Sequence, residues 1–110
     1  MLISGREAQV TMYTDLAELI TFEGHEVYAV NAPREIRSEL GHVLASKTNS
    51  FALIFTYEKG FWKCSLRSVT DFDVSIIATK YGGGGHKNSA AFTLPTDFPI
   101  FSITSKKSTE

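Results

Sequence analysis

The run Tyr81-Gly82-Gly83-Gly84-Gly85-His86-Lys87-Asn88 constrains this chain more than any other segment, because four consecutive glycines are costly to order. Within a regular element each glycine costs roughly 0.5–1 kcal/mol relative to alanine. A loop that carries this cost four times is expected to be shaped for something that comes very close to bare backbone. Successive N–H groups in a glycine-rich turn can form a concave nest for phosphate oxygens, and His86 and Lys87 can add charge-assisted hydrogen bonds to it. The plainer alternative is a glycine-rich helix stop followed by solvated polar residues.

At 110 residues with 43% hydrophobic content, the chain has material for one domain with one core and is too short for two. The net charge of −1 argues against coating of long duplexes by charge alone, which requires neutralising many phosphates at once. A local basic site for a short anionic ligand remains compatible. The single cysteine, Cys64, has no internal disulfide partner, and neither a signal-peptide pattern nor a bilayer-length apolar run is present. A cytoplasmic setting without membrane contact is therefore expected. Cys64 lies between Trp62 and Leu66 in a strand-like stretch, where it reads as a small buried hydrophobe and not a nucleophile.

The periodicity divides the chain into an N-terminal helical segment over residues 1–20, an α/β core over 21–94 and a tail over 95–110. Val10, Tyr13, Ala17 and Ile20 recur on one side of a helix from Gly5 to Ile20. Thr21 to Glu26 reads as a turn leading to the strand Val27–Val30, together a hairpin. Asn31-Ala32-Pro33 opens a second helix, whose stripe of Ile36, Leu40, Val43 and Leu44 ends near Lys47. Phe51 to Tyr57 has the apolar run of a strand covered on both faces, and Glu58-Lys59-Gly60 turns it into Phe61–Arg67. That strand's period of two puts Phe61, Lys63, Ser65 and Arg67 on one face, with Trp62, Cys64 and Leu66 toward the core. Asp71 or Asp73 caps a third helix carrying Val74, Ile77, Ala78 and Tyr81, and Gly82 is its left-handed C-cap. Ala90 to Leu94 returns as a strand, Pro95 and Pro99 interrupt the chain, and Ser105 to Glu110 has the composition of a frayed end. The fold class is α+β: a mixed β-sheet with helices packed on it and the glycine-rich loop after the last helix.

The glycine loop is neither a Walker A loop, since no Gly-Lys-Ser/Thr follows, nor a dinucleotide fingerprint, since it ends a helix. His25, His42 and His86 form no spaced cluster with carboxylates or Cys64, so no metal site and no catalytic residue is assigned to this chain. His25 and His42 read as structural or exposed. Arg67 offers a planar fork for phosphate at a strand end; the alternative is a rim charge paired with Asp71 or Asp73.

The blocks Ser65-Leu66-Arg67-Ser68, Asp73-Val74-Ser75, Ile77-Ala78 and Tyr81 to Asn88, in that order, resemble the DHH-associated C-terminal domain of DHH-family phosphoesterases. Val30-Asn31-Ala32-Pro33 and Ser38-Glu39-Leu40-Gly41 are also similar, so the likeness runs from about Gly24 to Phe92. The superfamily includes RecJ-like nucleases, oligoribonucleases and cyclic dinucleotide phosphodiesterases. The resemblance implies a division of labour, in which a separate N-terminal DHH domain holds manganese and hydrolyses while the associated domain binds substrate. It implies that Arg67, Ser68 and His86, with the backbone of Gly82, Gly83, Gly84 and Gly85, grip a phosphate, with Lys87 and Asn88 nearby. The family block usually continues Ala-Ala-Gly-Phe, whereas this chain has Ser89-Ala90-Ala91-Phe92. If that position needs a positive φ or close packing, Ala91 destabilises or shifts the loop.

The implied ligand is a short single-stranded oligonucleotide or a small phosphate-rich nucleotide. NanoRNA, single-stranded DNA, 3′-phosphoadenosine 5′-phosphate, a cyclic dinucleotide and polyphosphate all fit that description. The chain's other implied partner is the DHH catalytic domain. A stand-alone nucleic-acid-binding module, akin to a C-terminal part of alanyl-tRNA synthetases, and a homodimerisation domain are the competing readings.

Overall fold

The computed structural model describes residues 5–97 and 104–106. Its elements are α1 (Gly5–Leu16), β1 (Glu18–Phe22), β2 (His25–Asn31), a 3-10 turn (Arg34–Ile36), α2 (Arg37–Ala45), β3 (Ala52–Glu58), β4 (Phe61–Arg67), α3 (Val74–Lys80), β5 (Gly84–His86), β6 (Ser89–Pro95) and β7 (Thr104–Lys106). The strands form one seven-stranded sheet in the order β5-β6-β4-β3-β2-β1-β7. Neighbours are antiparallel except β2 and β3. Antiparallel partners need only a tight turn, whereas the parallel pair needs a crossover, supplied here by the 3-10 turn and α2. The mixed sheet with helices packed on it is the expected α+β fold.

Both early hairpins close through two residues with positive φ, Glu23-Gly24 at 54° and 79° and Lys59-Gly60 at 51° and 86°. This turn matches the twist of the strands it joins. Strand alternation then divides the core. One face buries Phe22, Val27, Leu53, Cys64, Leu66 and Phe92 with Val74, Ile77 and Ala78 of α3. The other buries Val30, Ala52 and Ile54 beneath Ile36, Leu40 and Leu44, and Val10, Tyr13 and Ala17 pack at its margin. On β4, Cys64 and Leu66 point into the α3-side core as the period of two requires, and β3 is covered on both faces over Ala52 to Ile54.

Several element boundaries differ from those expected. The first helix stops at Leu16, and Glu18, Leu19 and Ile20 are strand. Pairing with β2 buries Ile20 and Phe22 at alternate positions, a burial that a continued helix would forgo. Pro33 does not open the α-helix; it precedes the 3-10 turn in extended backbone with ψ 145°, and α2 begins four residues later. Val43 stands out of the apolar stripe and is exposed, and α2 ends at Ala45, before Lys47. Pro95 is the last residue of β6, opposite Phe61, and so interrupts the strand as expected, and Pro99 lies outside the described residues. Ser105 and Lys106 are not frayed: β7 pairs with β1, Ile20 opposite Lys106. Asp73, not Asp71, caps α3, its carboxylate accepting from the Ser75 N–H at 2.9 Å.

Cys64 is 1% exposed, and burial pushes its thiol pKa up from 9.0 to about 12. The folded chain therefore keeps a proton that the unfolded chain gives up. The thiol's contribution to stability is complete below pH 9.0 and is lost as pH rises toward about 12. Iodoacetamide near the ordinary thiol pKa of about 8.5 is expected to leave the native chain unlabelled and to label it fully in denaturant. Native labelling at the rate of a free thiol would contradict this packing.

Candidate anion-binding site

The four glycines have four different surroundings. Tyr81 closes α3, and Gly82, at φ 85°, takes the left-handed position after it. The N–H of Gly82 donates to the Thr79 carbonyl at 3.0 Å and that of Gly83 to the Ala78 carbonyl at 2.8 Å. These are the paired bonds of a Schellman cap. The chain then turns into β5, against β6, so the segment expected to be a loop is in part an edge strand. A Cβ on Gly83 would lie 2.1 Å from the Ala91 carbonyl oxygen, and one on Gly85 would lie 2.5 Å from the Ala90 Cα. Both glycines are thus required by β6 itself. At Gly84 a Cβ would meet nothing within 4 Å. Gly84 alone is bare without a reason internal to the chain.

Gly84 borders a pocket of about 330 Å³. Its floor is the face of the sheet where the register sets Arg67 opposite Ser89, Ser65 opposite Ala91 and Lys63 opposite Thr93, with Gly84 across from Ala91. Directly opposed residues share a face. Arg34 and Arg37 form the wall. Four of the chain's 11 lysines and arginines, Arg34, Arg37, Lys63 and Arg67, therefore line one pocket, and none of its lining residues is an aspartate or glutamate. Ala91, exposed and free of positive φ, sits in ordinary strand on the floor. The substitution places a methyl group there and forces no change of backbone.

Arg67 is the best-built cation of the four. A Cβ on Gly41 of α2 would lie 2.5 Å from the Arg67 Cγ, so the absence of a side chain at Gly41 is what lets the Arg67 stem lie under α2. Its guanidinium Nη1 donates to the Leu66 carbonyl at 3.0 Å. The pairing with Asp71 or Asp73 that would make it a rim charge is not formed, because Lys87 holds Asp71 at 3.1 Å and Asp73 caps α3. Burial first, and then the positive charge of Arg37, lower the Arg67 pKa. A nearby anion would offset both by favouring the charged guanidinium.

The remaining expected site residues divide. Gly85 also lines the pocket. His86, Ser89 and Arg67 share one cross-strand row, which puts exposed His86 two strands from Arg67, roughly 10 Å by the usual strand spacing, at the margin. Ser68 and Asn88 form an internal brace. The Ser68 hydroxyl donates to the Phe72 carbonyl at 2.7 Å and accepts from the Asn88 amide at 2.7 Å, and that amide also donates to the Thr70 carbonyl at 2.8 Å. The Lys87 carbonyl accepts the Val74 N–H at 2.8 Å. Ser68, Gly82, Gly83, Lys87 and Asn88 thus fix the β5–β6 hairpin onto the start and end of α3 and do not line the pocket. Arg34, Arg37 and Lys63 were not anticipated as ligand contacts. Lys63 was legible, since it sits four residues before Arg67 on the same strand face; Arg34 arrives from the 3-10 turn and Arg37 from the start of α2, and neither carries a local signal.

Tyr81 is held from the other side of the molecule. Its ring stacks on Phe92 at 4.8 Å and Phe22 at 5.9 Å, while its hydroxyl donates to Glu23 at 2.5 Å and the Lys80 ammonium donates to the same carboxylate at 2.7 Å. Hydrogen bonds from Lys80 and then Tyr81 hold the Glu23 carboxyl below its ordinary value. Among the described residues no group of three or more His, Cys, Asp or Glu side chains is gathered as a metal requires. These residues do not fit the implied manganese centre, and no hydrolytic step is assigned to them. No described helix is long and apolar enough to cross a membrane.

The chain is thus an α+β domain with a cationic pocket beside a glycine-rich hairpin. Residues 24–102 match the DHHA1 domain family, and the chain belongs to that family, which is associated with DHH-family phosphoesterases. It is also similar to an uncharacterized protein of Acanthamoeba polyphaga mimivirus, 42% identical over a 69-residue alignment that covers 58% of this chain and 16% of the viral protein. The chain thus spans about a sixth of the length of that curated relative.

Gly83→Ala is expected to lower stability by about 1–3 kcal/mol through overpacking against β6, whereas Gly84→Ala stays within about 0.5 kcal/mol of wild type. Urea denaturation of the two variants checks the distinction. A lowered Glu23 pKa contributes stability that is present above the ordinary value of 4.5 and is lost as pH falls through the folded value. The stability difference between wild type and Glu23→Gln should therefore shrink as pH is lowered below 4.5; a difference unchanged by acid would contradict it.

Proposed function

We propose that this chain is the substrate-holding domain of a DHH-family phosphoesterase, binding the phosphate of a short single-stranded oligonucleotide or small nucleotide. Hydrolysis, and the manganese that supports it, belong in this reading to a DHH domain acting across the cleft. The observation that carries the reading is the pocket beside Gly84, lined by Arg34, Arg37, Lys63 and Arg67 and by no carboxylate, where among the described residues only Arg34 of the four is ion-paired, with Glu58. Unbalanced cations around a half-buried guanidinium favour an anion, and arginine's planar donors match a phosphate. A pocket of about 330 Å³ suits a terminal nucleotide better than a long duplex. Such a domain contributes positioning: it fixes the ligand's phosphate so that the scissile bond meets the catalytic domain in one orientation. RecJ-like and oligoribonuclease-like enzymes are the closest functional types for this reading. The buried thiol of Cys64 suits a reducing, cytoplasmic setting.

Titration of the 110-residue chain with a 5′-phosphorylated oligoribonucleotide, followed by amide chemical shifts, tests this directly. Saturable shifts around Arg67, Gly84 and Ser89 are expected. Arg67→Gln should weaken binding at least about tenfold, the loss typical of a charged hydrogen bond. Binding that perturbs none of these amides, or that survives Arg67→Gln unchanged, would contradict the proposal. The affinity should also fall with salt with a slope set by only one or two phosphates, near −0.7 for each.

A further inference from the structure

Resting on the reading of the pocket as a phosphate site, we propose that Gly41 is its positioning residue: by having no side chain it seats the stem of Arg67 beneath α2 and holds the guanidinium in place before any ligand arrives. Gly41 lies inside the nine-residue helix α2, buried with Leu40, Leu44 and Ala45. An interior glycine weakens a helix relative to alanine, so its presence there calls for a packing reason. That reason is one side chain. A Cβ at position 41 would lie 2.5 Å from the Arg67 Cγ, 2.8 Å from the Arg67 Cβ and 3.1 Å from the Ile54 Cδ1. The three contacts are not equivalent. Ile54 Cδ1 is the far end of a flexible side chain and can yield. The Arg67 Cβ is fixed by β4, which is paired with β3 on one side and β6 on the other, and the Arg67 Cγ moves only by leaving its rotamer. No backbone atom is among the three nearest, whereas Gly83 and Gly85 meet the backbone of β6. Gly41 therefore answers to Arg67 and not to the packing of helix on sheet.

The seat matters because Arg67 is held where its charge is disfavoured. Arg37 stands one turn before Gly41 on α2, the spacing that puts two helix residues on one face, and both arginines line the pocket. Burial and then the charge of Arg37 weigh against the charged Arg67 guanidinium. Left to itself, a long side chain would swing away from a like-charged neighbour into water. The slot at Gly41 fixes the stem, and the bond from Nη1 to the Leu66 carbonyl at 3.0 Å fixes the head. Neither constraint is an ion pair, and among the described residues Arg67 forms none, so the charge is held in place without being neutralised. A donor fixed in advance loses less conformational freedom on binding, which raises affinity. Gly41 does not itself line the pocket and acts through Arg67.

Urea denaturation compares the wild type with Gly41→Ala, Arg67→Gly and the double variant, and calorimetry measures the affinity of wild type, Gly41→Ala and Arg67→Gln for a nucleoside 5′-monophosphate. In the wild-type background Gly41→Ala should lower the urea midpoint, since the added methyl group must displace Arg67. In the Arg67→Gly background, where both crowded atoms are gone, the same substitution should raise the midpoint, because alanine is the better helix former. Folded Gly41→Ala should bind the monophosphate about tenfold more weakly than wild type, matching Arg67→Gln, the loss typical of a charged hydrogen bond. A midpoint lowered equally in both backgrounds would make the glycine a requirement of the helix alone and overturn the inference, and so would wild-type affinity in folded Gly41→Ala. If Gly41→Ala alone does not fold, Arg67→Gly should restore the fold; a double variant that stays unfolded would overturn the inference as well. Each of these results leaves the phosphate site standing as long as Arg67→Gln weakens binding. Binding unaffected by Arg67→Gln, or no binding to the wild type, would overturn the reading of the pocket and this inference with it.

Discussion

The contact on which the rest of the site depends is the close approach of the glycine segment to the backbone of β6. No side chain fits at Gly83 or Gly85 without meeting the backbone of Ser89, Ala90, Ala91 or Phe92. Because the chain can lie that close, the exit from α3 becomes an edge strand instead of a wandering loop, and the sheet gains a rim beyond β6. That rim carries Gly84 alongside the pocket floor. The Schellman bonds at one end and the Ser68–Asn88 brace at the other fix its position. Gly83 and Gly85 thus act first on the fold.

Charge is distributed against the average. A chain of net charge −1 gathers four cations on one pocket; Glu58 pairs with one of them, Arg34, while Glu39 is engaged with Arg6, Glu23 with Lys80 and Tyr81, and Asp71 with Lys87. Isolated exposed pairs of this kind contribute little to stability. Their consequence is spatial, since they leave Arg67, Arg37 and Lys63 without competing carboxylates. Net charge excludes broad adhesion to nucleic acid and says nothing against a concentrated site of this size.

Much of this was legible in the sequence where a local rule applied. The period of two on β4 placed Cys64 in the core and Arg67 on the opposite face, Asp73 was one of two named caps, and Gly82 carried the left-handed C-cap. Legibility ended where long-range pairing decided. Nothing local to Glu18–Phe22 distinguishes the last turn of a helix from a strand until β2 and β7 are beside it. The brief β5 is a strand only because β6 accepts it, so the glycines were read as ligand-directed when Gly83 and Gly85 answer to their own chain. Arg34 and Arg37 reach the pocket through the crossover, a juxtaposition that spacing along the chain does not express.

The proposed function has this DHHA1-family domain hold phosphate while chemistry occurs elsewhere, and the most direct test of that claim is to see where a phosphate sits. A crystal structure of this chain grown with saturating nucleoside 5′-monophosphate should place the phosphate beside Gly84, with its oxygens about 2.7–2.9 Å from the Arg67 guanidinium. A phosphate found away from Arg67, or a pocket left empty under those conditions, would contradict the account.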